Sequence, residues 1–136
     1  MALFRIVYVS EATGFVGTNL MALIDIIGVS EQNNRRDHLT GVLVRHEGRF
    51  LQILEGARTD LNRVMGRVAK DRRHDKIGIL SDQSISQRLF PDWAMARLEA
   101  TPDVQAFMAG DLTQAEASGD LDRLLASLGR ATADAV

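Results

Sequence analysis

The alternation of apolar and polar positions along the chain predicts short strands and amphipathic helices in a regular order. Residues Leu3–Val9 form a short β-rich run. From residue 16 to residue 34, apolar side chains recur at the spacing of one face of a helix. Two further apolar runs, Leu39–Arg45 and Phe50–Glu55, flank Glu47 and Gly48, and this arrangement predicts a β-hairpin.

The middle of the chain continues this pattern. Apolar residues between Leu61 and Val68 form a second helical stripe, which begins just after Thr59. Two more apolar runs, Ile77–Leu80 and Trp93–Leu98, are the remaining strand candidates. The order is therefore β-α-β-β-α-β followed by one more strand. This is the split βαβ pattern of the ferredoxin-like α+β fold.

The last third of the chain predicts two short helices, over residues 103–108 and about 113–128. Helices of this length are not stable alone in water and must pack on another element. A ferredoxin-like sheet carries both crossover helices on one face, and the other face would be too apolar to remain exposed to water. We therefore predict that the two tail helices cover this second face, whose apolar side chains are Leu3, Val7, Leu51 and Ile53.

Length and composition fit one globular domain of an ordinary kind. The chain has 136 residues, of which 46% are hydrophobic and 25% charged. Its net charge of −2 gives no electrostatic reason to expect nucleic acid or an anionic membrane as a partner. No run approaches the roughly 18 consecutive apolar residues of a membrane span. The first ten residues resemble a strand rather than a secretory signal, so we expect a cytoplasmic protein.

Residues with catalytic or metal-binding potential are few. The chain has no cysteine, so disulfides, thiolate nucleophiles and thiolate metal sites are excluded. His38, His46 and His74 lack metal-ligand spacing, and no metal site is expected. Neither a G-x-S-x-G elbow nor a phosphate-binding glycine loop is present. The common motif-bearing enzyme classes are therefore disfavoured.

Two polar residues stand where a packed core favours apolar ones. Tyr8 shares its strand face with Phe4 and Ile6, and Gln52 shares its face with Phe50 and Leu54. In the split βαβ topology the first and third strands are neighbours, so both side chains could meet beneath the crossover helices. They could form a satisfied core pair, or they could hold a polar ligand between the helices.

Further polar residues near the predicted helix ends also allow two interpretations. Asn33 and Asn34 could cap the first helix, or the amide of Asn34 could bind the edge of a planar heterocycle. Arg67 and Asp71 are four residues apart, so they could form a surface pair or flank a cleft. There Arg67, together with His74, could meet a phosphate group.

Six segments of the chain resemble BLUF domains, the sensors of blue light using FAD, in order, spacing and content. The resemblance covers roughly residues 2–98. It implies a flavin-binding domain over residues 1–98, with residues 99–136 as a helical cap of the same domain. The chain is similar to the short stand-alone type of this family. The segments are RIVYVS (5–10), SEQNN (30–34), LTGVLV (39–44), GRFLQILEG (48–56), RVAKDRRH (67–74) and RLFPDWAM (88–95).

This resemblance implies roles for individual residues. Tyr8 would be the photochemical donor of an electron and a proton, and Gln52 the amide that links it to the flavin. Trp93 and Met95 would relay the signal from the last strand. The residues implied to contact the flavin, besides Tyr8 and Gln52, are Ile24, Ser30, Asn33, Asn34, Arg67, Asp71, His74 and Met95.

The function implied is that of a blue-light photoreceptor, not an enzyme, because light drives no net reaction in such a protein. The cofactor would be non-covalent FAD, although the ring contacts alone could admit FMN or riboflavin. The signal would pass by contact, through a homo-oligomer (a dimer or larger) or to a separate effector protein. Two other classes share the fold: an acylphosphatase-like small enzyme, which the loop at residues 11–15 disfavours because it has no arginine, and a flavin-free interaction module.

Overall fold

A computed structural model of the protein describes residues 2–12, 38–70, 74–91, 96–98, 100–109 and 119–134. The helix predicted over residues 16–34 lies outside these ranges. The described elements, in chain order, are β1 (Leu3–Ala12), β2 (Thr40–His46), β3 (Arg49–Gly56), α1 (Arg58–Lys70), β4 (His74–Ile85), β5 (Ala96–Leu98), α2 (Pro102–Ala109) and α3 (Asp120–Asp134).

The strands form one sheet in the order β4-β1-β3-β2-β5. The first four strands pair antiparallel, and β1 and β3 lie side by side near the centre. β5 pairs with β2 in parallel at the edge. This strand order confirms the predicted ferredoxin-like α+β fold with an extra strand.

The hairpin between β2 and β3 also confirms the prediction. Glu47 and Gly48 form its two-residue loop, and both have positive φ, at 49° and 77°. Two consecutive residues with positive φ are typical of the type I′ turn, whose twist matches that of the flanking strands.

β4 is longer than the apolar run Ile77–Leu80 that predicted it. It extends through Ser81–Ser84, which pair with β1 although their side chains are polar. β4 is an edge strand, and Asp82, Gln83 and Ser84 are exposed. Polar side chains are compatible with such a position, so apolar periodicity alone underestimated the length of this strand.

Each face of the sheet has its own hydrophobic core. On one face, α1 packs over side chains of β1, β2 and β3. On the opposite face lies a core to which α2 and α3 contribute Val104, Met108, Leu121, Leu124 and Leu128. The predicted position of the tail helices is thus confirmed. Of the four apolar residues predicted beneath them, Val7, Leu51 and Ile53 are buried in this core, whereas Leu3 is only half-buried.

The second tail helix ends later than predicted. The apolar stripe predicted an end at Leu128, but α3 continues to Asp134. Gly129 lies inside the helix, where glycine is unfavourable by about 1 kcal/mol relative to alanine. A Cβ at this position would lie 3.2 Å from Leu89 Cδ1, so the glycine leaves room for a close contact with Leu89.

None of the helices in the described part of the chain has both the length and the apolar character that crossing a bilayer requires.

Candidate functional site

The candidate site is built on the two central strands. β1 and β3 pair in a regular antiparallel register that places Tyr8 directly opposite Gln52. The pairing of β1 with β4 is less regular, because its register shifts between Val7 and Tyr8. Irregular pairing of this kind re-aims side chains and is frequent beside functional sites. Tyr8 therefore lies between a regular and an irregular strand pair.

The Tyr8 hydroxyl donates a hydrogen bond to Gln52 Oε1. The tyrosine side chain is 1% exposed and belongs to the core beneath α1, together with Ile6, Leu54 and Leu61. A phenol in such apolar surroundings needs a hydrogen-bond partner, and the amide carbonyl provides one. The structure thus brings together the two polar residues that the sequence singled out.

The direction of this bond determines what the amide can do. Gln52 accepts on its oxygen, while its Nε2 group carries two N–H donors. Gln52 is half-buried, in contrast to the fully buried Tyr8. The pair is therefore a short chain of polar groups that leads outward from a buried phenol to a less buried amide, which can donate to an acceptor on a ligand.

Two of the other candidate residues lie within the described part of the chain. Arg67 lies in α1, where it is half-buried. His74 is the first residue of β4, and its backbone pairs with Ala12 at the end of β1. The remaining candidates lie outside the described residues, and their assignments stay predictions: Ile24, Ser30, Asn33, Asn34, Asp71, Trp93 and Met95.

Sequence reasoning missed a buried carboxylate, that of Glu55 near the end of β3. Its side chain is 0% exposed and forms an ion pair with Arg5 Nε at 2.9 Å. It also accepts hydrogen bonds from the backbone N–H groups of Leu89 and Phe90, at 2.9 and 2.8 Å. The sequence did contain a signal, since opposite charges occur within two strands that were predicted to be adjacent.

Arg88 forms a second polar connection in the same region. Its guanidinium donates to Glu55 O and Thr40 Oγ1, at 2.8 and 2.9 Å, and to His38 O at 2.9 Å. His38 has a φ of 56°, in the left-handed region. The loop that follows β4 is thereby fastened to the end of β3 and to the start of β2.

Within the ranges that the structure describes, no group of histidine and acidic side chains could hold a metal ion.

Comparison with protein families gives a match that covers most of the chain. The matching family is BLUF, sensors of blue-light using FAD, over residues 3–96. Photoactivated adenylate cyclase subunit beta of Euglena longa is 28% identical over 91 residues, which are 67% of this chain and 11% of that protein. Subunit alpha of Euglena gracilis is 27% identical over 91 residues and 9% of its length. The chain thus spans about a tenth of these relatives.

Solved structures give the same result. A bacterial light-regulated adenylyl cyclase is 31% identical, with a TM-score of 0.68 over 92% of this chain and 34% of its own. BlsA in its photo-activated state is 25% identical, with a TM-score of 0.76 over 90% of this chain and 94% of its own. The BLUF protein BlrB in its dark state shares the fold, with 24% identity, a TM-score of 0.78 and coverage of 96% and 97%.

Proposed function

The chain belongs to the BLUF family of blue-light sensors that use FAD, and on this premise we propose that it detects light through the hydrogen bond between Tyr8 and Gln52. The observation that carries the proposal is that bond itself, which joins a buried phenol to an amide across the two central strands. The comparisons establish the family and the fold. The roles of individual residues belong to the proposal.

The residues around this pair fit a flavin on chemical grounds. The flavin ring edge presents nitrogen and oxygen acceptors, and Gln52 Nε2 is a donor group at the outer end of the polar pair. The sheet face that carries the pair is otherwise apolar, with Phe50 and Leu43 buried on it and Val64 of α1 in the same core, which suits a planar aromatic ring. When bound, the flavin supplies the absorption of blue light and, once excited, a strong one-electron acceptor.

The chain's own residues then move one proton and return it. Tyr8 would give an electron to the excited flavin, and its Oη proton would follow through the amide of Gln52, which already accepts the hydrogen bond from it. Both return to Tyr8, so no net reaction occurs. The amide of Gln52 remains rotated or tautomerised, and it offers a different group to the ligand and to the neighbouring strand. This altered hydrogen bond shifts the absorption slightly to the red.

The rest of the proposed flavin site follows from family membership. Arg67 is half-buried in α1, a position compatible with a charge-assisted contact to the phosphates of FAD. The ring contacts alone would also admit FMN or riboflavin. The further residues proposed to line the ring, ribityl chain or phosphates are Ile24, Ser30, Asn33, Asn34, Asp71, His74 and Met95.

Signal output is proposed to proceed through the face of the sheet opposite Tyr8. The tail helices α2 and α3 contribute to the core on that face, which supports the assignment of residues 99–136 as a cap of the flavin-binding domain. Trp93 and Met95 would relay the change to these helices. The receiver would be a second copy of the chain or a separate effector protein.

The experiment that tests the proposed function is spectroscopic. Protein purified in the dark should contain non-covalent oxidised flavin, mainly FAD, and blue light should produce a reversible red shift of its absorption. Denaturation followed by chromatography identifies the released flavin. Folded protein that remains colourless after reconstitution with FAD would contradict the proposal and favour a flavin-free interaction module.

A further inference from the structure

The buried carboxylate of Glu55 holds the loop between β4 and β5 against the sheet. Its Oε2 accepts from Arg5 Nε and from the Leu89 N–H, both at 2.9 Å, and its Oε1 accepts from the Phe90 N–H at 2.8 Å. A buried charge persists only where it is paired and hydrogen-bonded in this way. The position of the loop backbone at residues 89–90 is therefore set by the position of Glu55.

The loop reaches back to the sheet through Arg88. One guanidinium nitrogen donates to Glu55 O and to Thr40 Oγ1, and the other donates to His38 O. We call the side chains of Glu55 and Arg88, with these bonds, the polar clasp. Hydrogen bonds weaken steeply when distance or angle changes. The clasp is therefore sensitive to a shift of β3.

The same loop contacts the tail helix α3. Phe90 is fully buried in the core that includes Leu128 of α3. Leu89 lies so close to α3 that a Cβ at Gly129 would be 3.2 Å from Leu89 Cδ1. A displacement of residues 89–90 must therefore displace α3 or open a gap in the core.

The clasp also shares strand β3 with the Tyr8–Gln52 pair. Gln52 and Glu55 are both in β3 and project from opposite faces, with Gln52 opposite Tyr8 and Glu55 opposite Arg5. From these contacts we propose that Glu55 and Arg88 are positioning residues that transmit the change at Gln52 from β3 to the loop and to α3. The inference rests on the proposed function. It adds a second route, which passes from β3 directly to the loop at residues 88–90. This loop precedes Trp93 and Met95 in the chain.

The test is hydrogen exchange of the full chain with bound flavin, in the dark and under blue light, combined with the absorption red shift. In Glu55→Gln one carboxylate oxygen becomes an amide nitrogen, so a donor faces a donor and one loop N–H loses its acceptor. The red shift should be retained, because Glu55 faces away from Tyr8. The light-induced change in exchange of α3 should be lost.

The matched control is Asp82→Asn. It makes the same change from carboxylate to amide in another arginine pair, Arg58–Asp82 at 2.8 Å, where the Asp82 side chain is 38% exposed. This variant should keep both the red shift and the light-induced change in α3. Arg88→Lys is the second variant, for the case in which Glu55→Gln does not fold. A lysine ammonium cannot reproduce the guanidinium fork that contacts three acceptors, so this variant should also lose the change in α3.

The outcomes separate the two proposals. Wild-type protein that lacks a red shift contradicts the proposed function itself. A normal red shift without any light-induced change in α3 leaves the proposed light detection intact and contradicts both the transmission route and the proposed output through the tail helices. The route is also wrong if α3 exchanges faster in either variant by the same factor in the dark and in the light, so that the light-induced difference persists. The clasp would then be merely structural. The route is supported if the dark and light hydrogen-exchange rates of α3 become equal in either variant while the red shift is intact.

Discussion

Arg5 and Glu55 stand opposite each other on β1 and β3, in the same unbroken register that places Tyr8 opposite Gln52. One pair is ionic and faces the tail helices, and the other is neutral and faces α1. A single pair of strands thus carries two polar contacts, one on each face of the sheet. Movement of either strand acts on both contacts together.

Tyr8→Phe should abolish the light-induced red shift while the protein still binds flavin. The substitution removes only the hydroxyl that donates to Gln52 Oε1, and Tyr8 is the only tyrosine of the chain. Absorption spectra in the dark and under blue light measure the outcome. Trp93→Phe is the comparison, because it removes the only tryptophan and should keep the shift. A normal shift in Tyr8→Phe would show that another donor acts.

Gln52→Leu should also bind flavin and lose the red shift. Leucine is similar in size to glutamine but has no group that can accept from Tyr8 Oη or donate to a ligand. It removes the Gln52 acceptor from a buried phenol, so the free energy of unfolding should fall by about 1–3 kcal/mol. Spectra and urea denaturation together check both parts. A red shift of normal size would remove Gln52 from the proposed mechanism.

Arg67→Ala should weaken the binding of FAD more than that of riboflavin. A charge-assisted contact to phosphate is worth about 1.5–3 kcal/mol, which corresponds to roughly ten-fold or more in Kd. Arg63→Ala is the matched control on the same helix, because Arg63 pairs with Asp60 and its side chain is 55% exposed. Titration of apoprotein with each flavin gives the ratio. Equal losses for both flavins would favour a structural role for Arg67.

Glu55→Ala should destabilise the protein strongly. It leaves Arg5 and two loop N–H groups without their acceptor, and breaking a buried ion pair costs about 3–5 kcal/mol. Asp120→Ala removes the acceptor from an exposed pair with Arg123 in α3, and such pairs contribute about 0–1 kcal/mol. Urea denaturation monitored by circular dichroism compares them. Similar losses for both variants would mean that the Glu55 network contributes little to stability.

Met95→Ala should keep the red shift and reduce the light-induced change in exchange over residues 103–128. This expectation follows from the proposed relay through the last strand, since the substitution spares Tyr8 and Gln52. Hydrogen exchange in the dark and under light measures it. An undiminished change would indicate that transmission does not require Met95, and comparison with Glu55→Gln would then show which route dominates.

The fold could be predicted because the alternation of apolar side chains assigns each strand residue to a face. That assignment placed Tyr8 beside Gln52 and put the tail helices over Val7 and Ile53 on the other face. The assignment was less accurate where the polarity of the residues does not follow the secondary structure. The end of β4 is polar because it lies at the edge of the sheet, and α3 continues past Gly129, where the absence of a side chain leaves room for Leu89.

The polar clasp could not be predicted in the same way. Glutamate is rarely buried, so a charged residue near the end of a strand is normally assigned to the surface. Glu55 is buried because three donors from β1 and from a loop converge on it, and no local pattern reports a loop that folds back from beyond residue 85. The proposed flavin contacts beyond Tyr8 and Gln52 depended on family resemblance for a similar reason, because they come from separate segments.

The close contact between Leu89 and Gly129 has a consequence for how long the signal lasts. Linkage between two sites is reciprocal, so a contact that lets the sensing pair bias α3 also lets α3 bias the sensing pair. A receiver that binds α3 more tightly in the lit arrangement would therefore stabilise that arrangement. The lifetime of the lit state after a light pulse would then be a property of the assembled complex rather than of the photoreceptor alone. A longer lifetime would indicate that the receiver is bound.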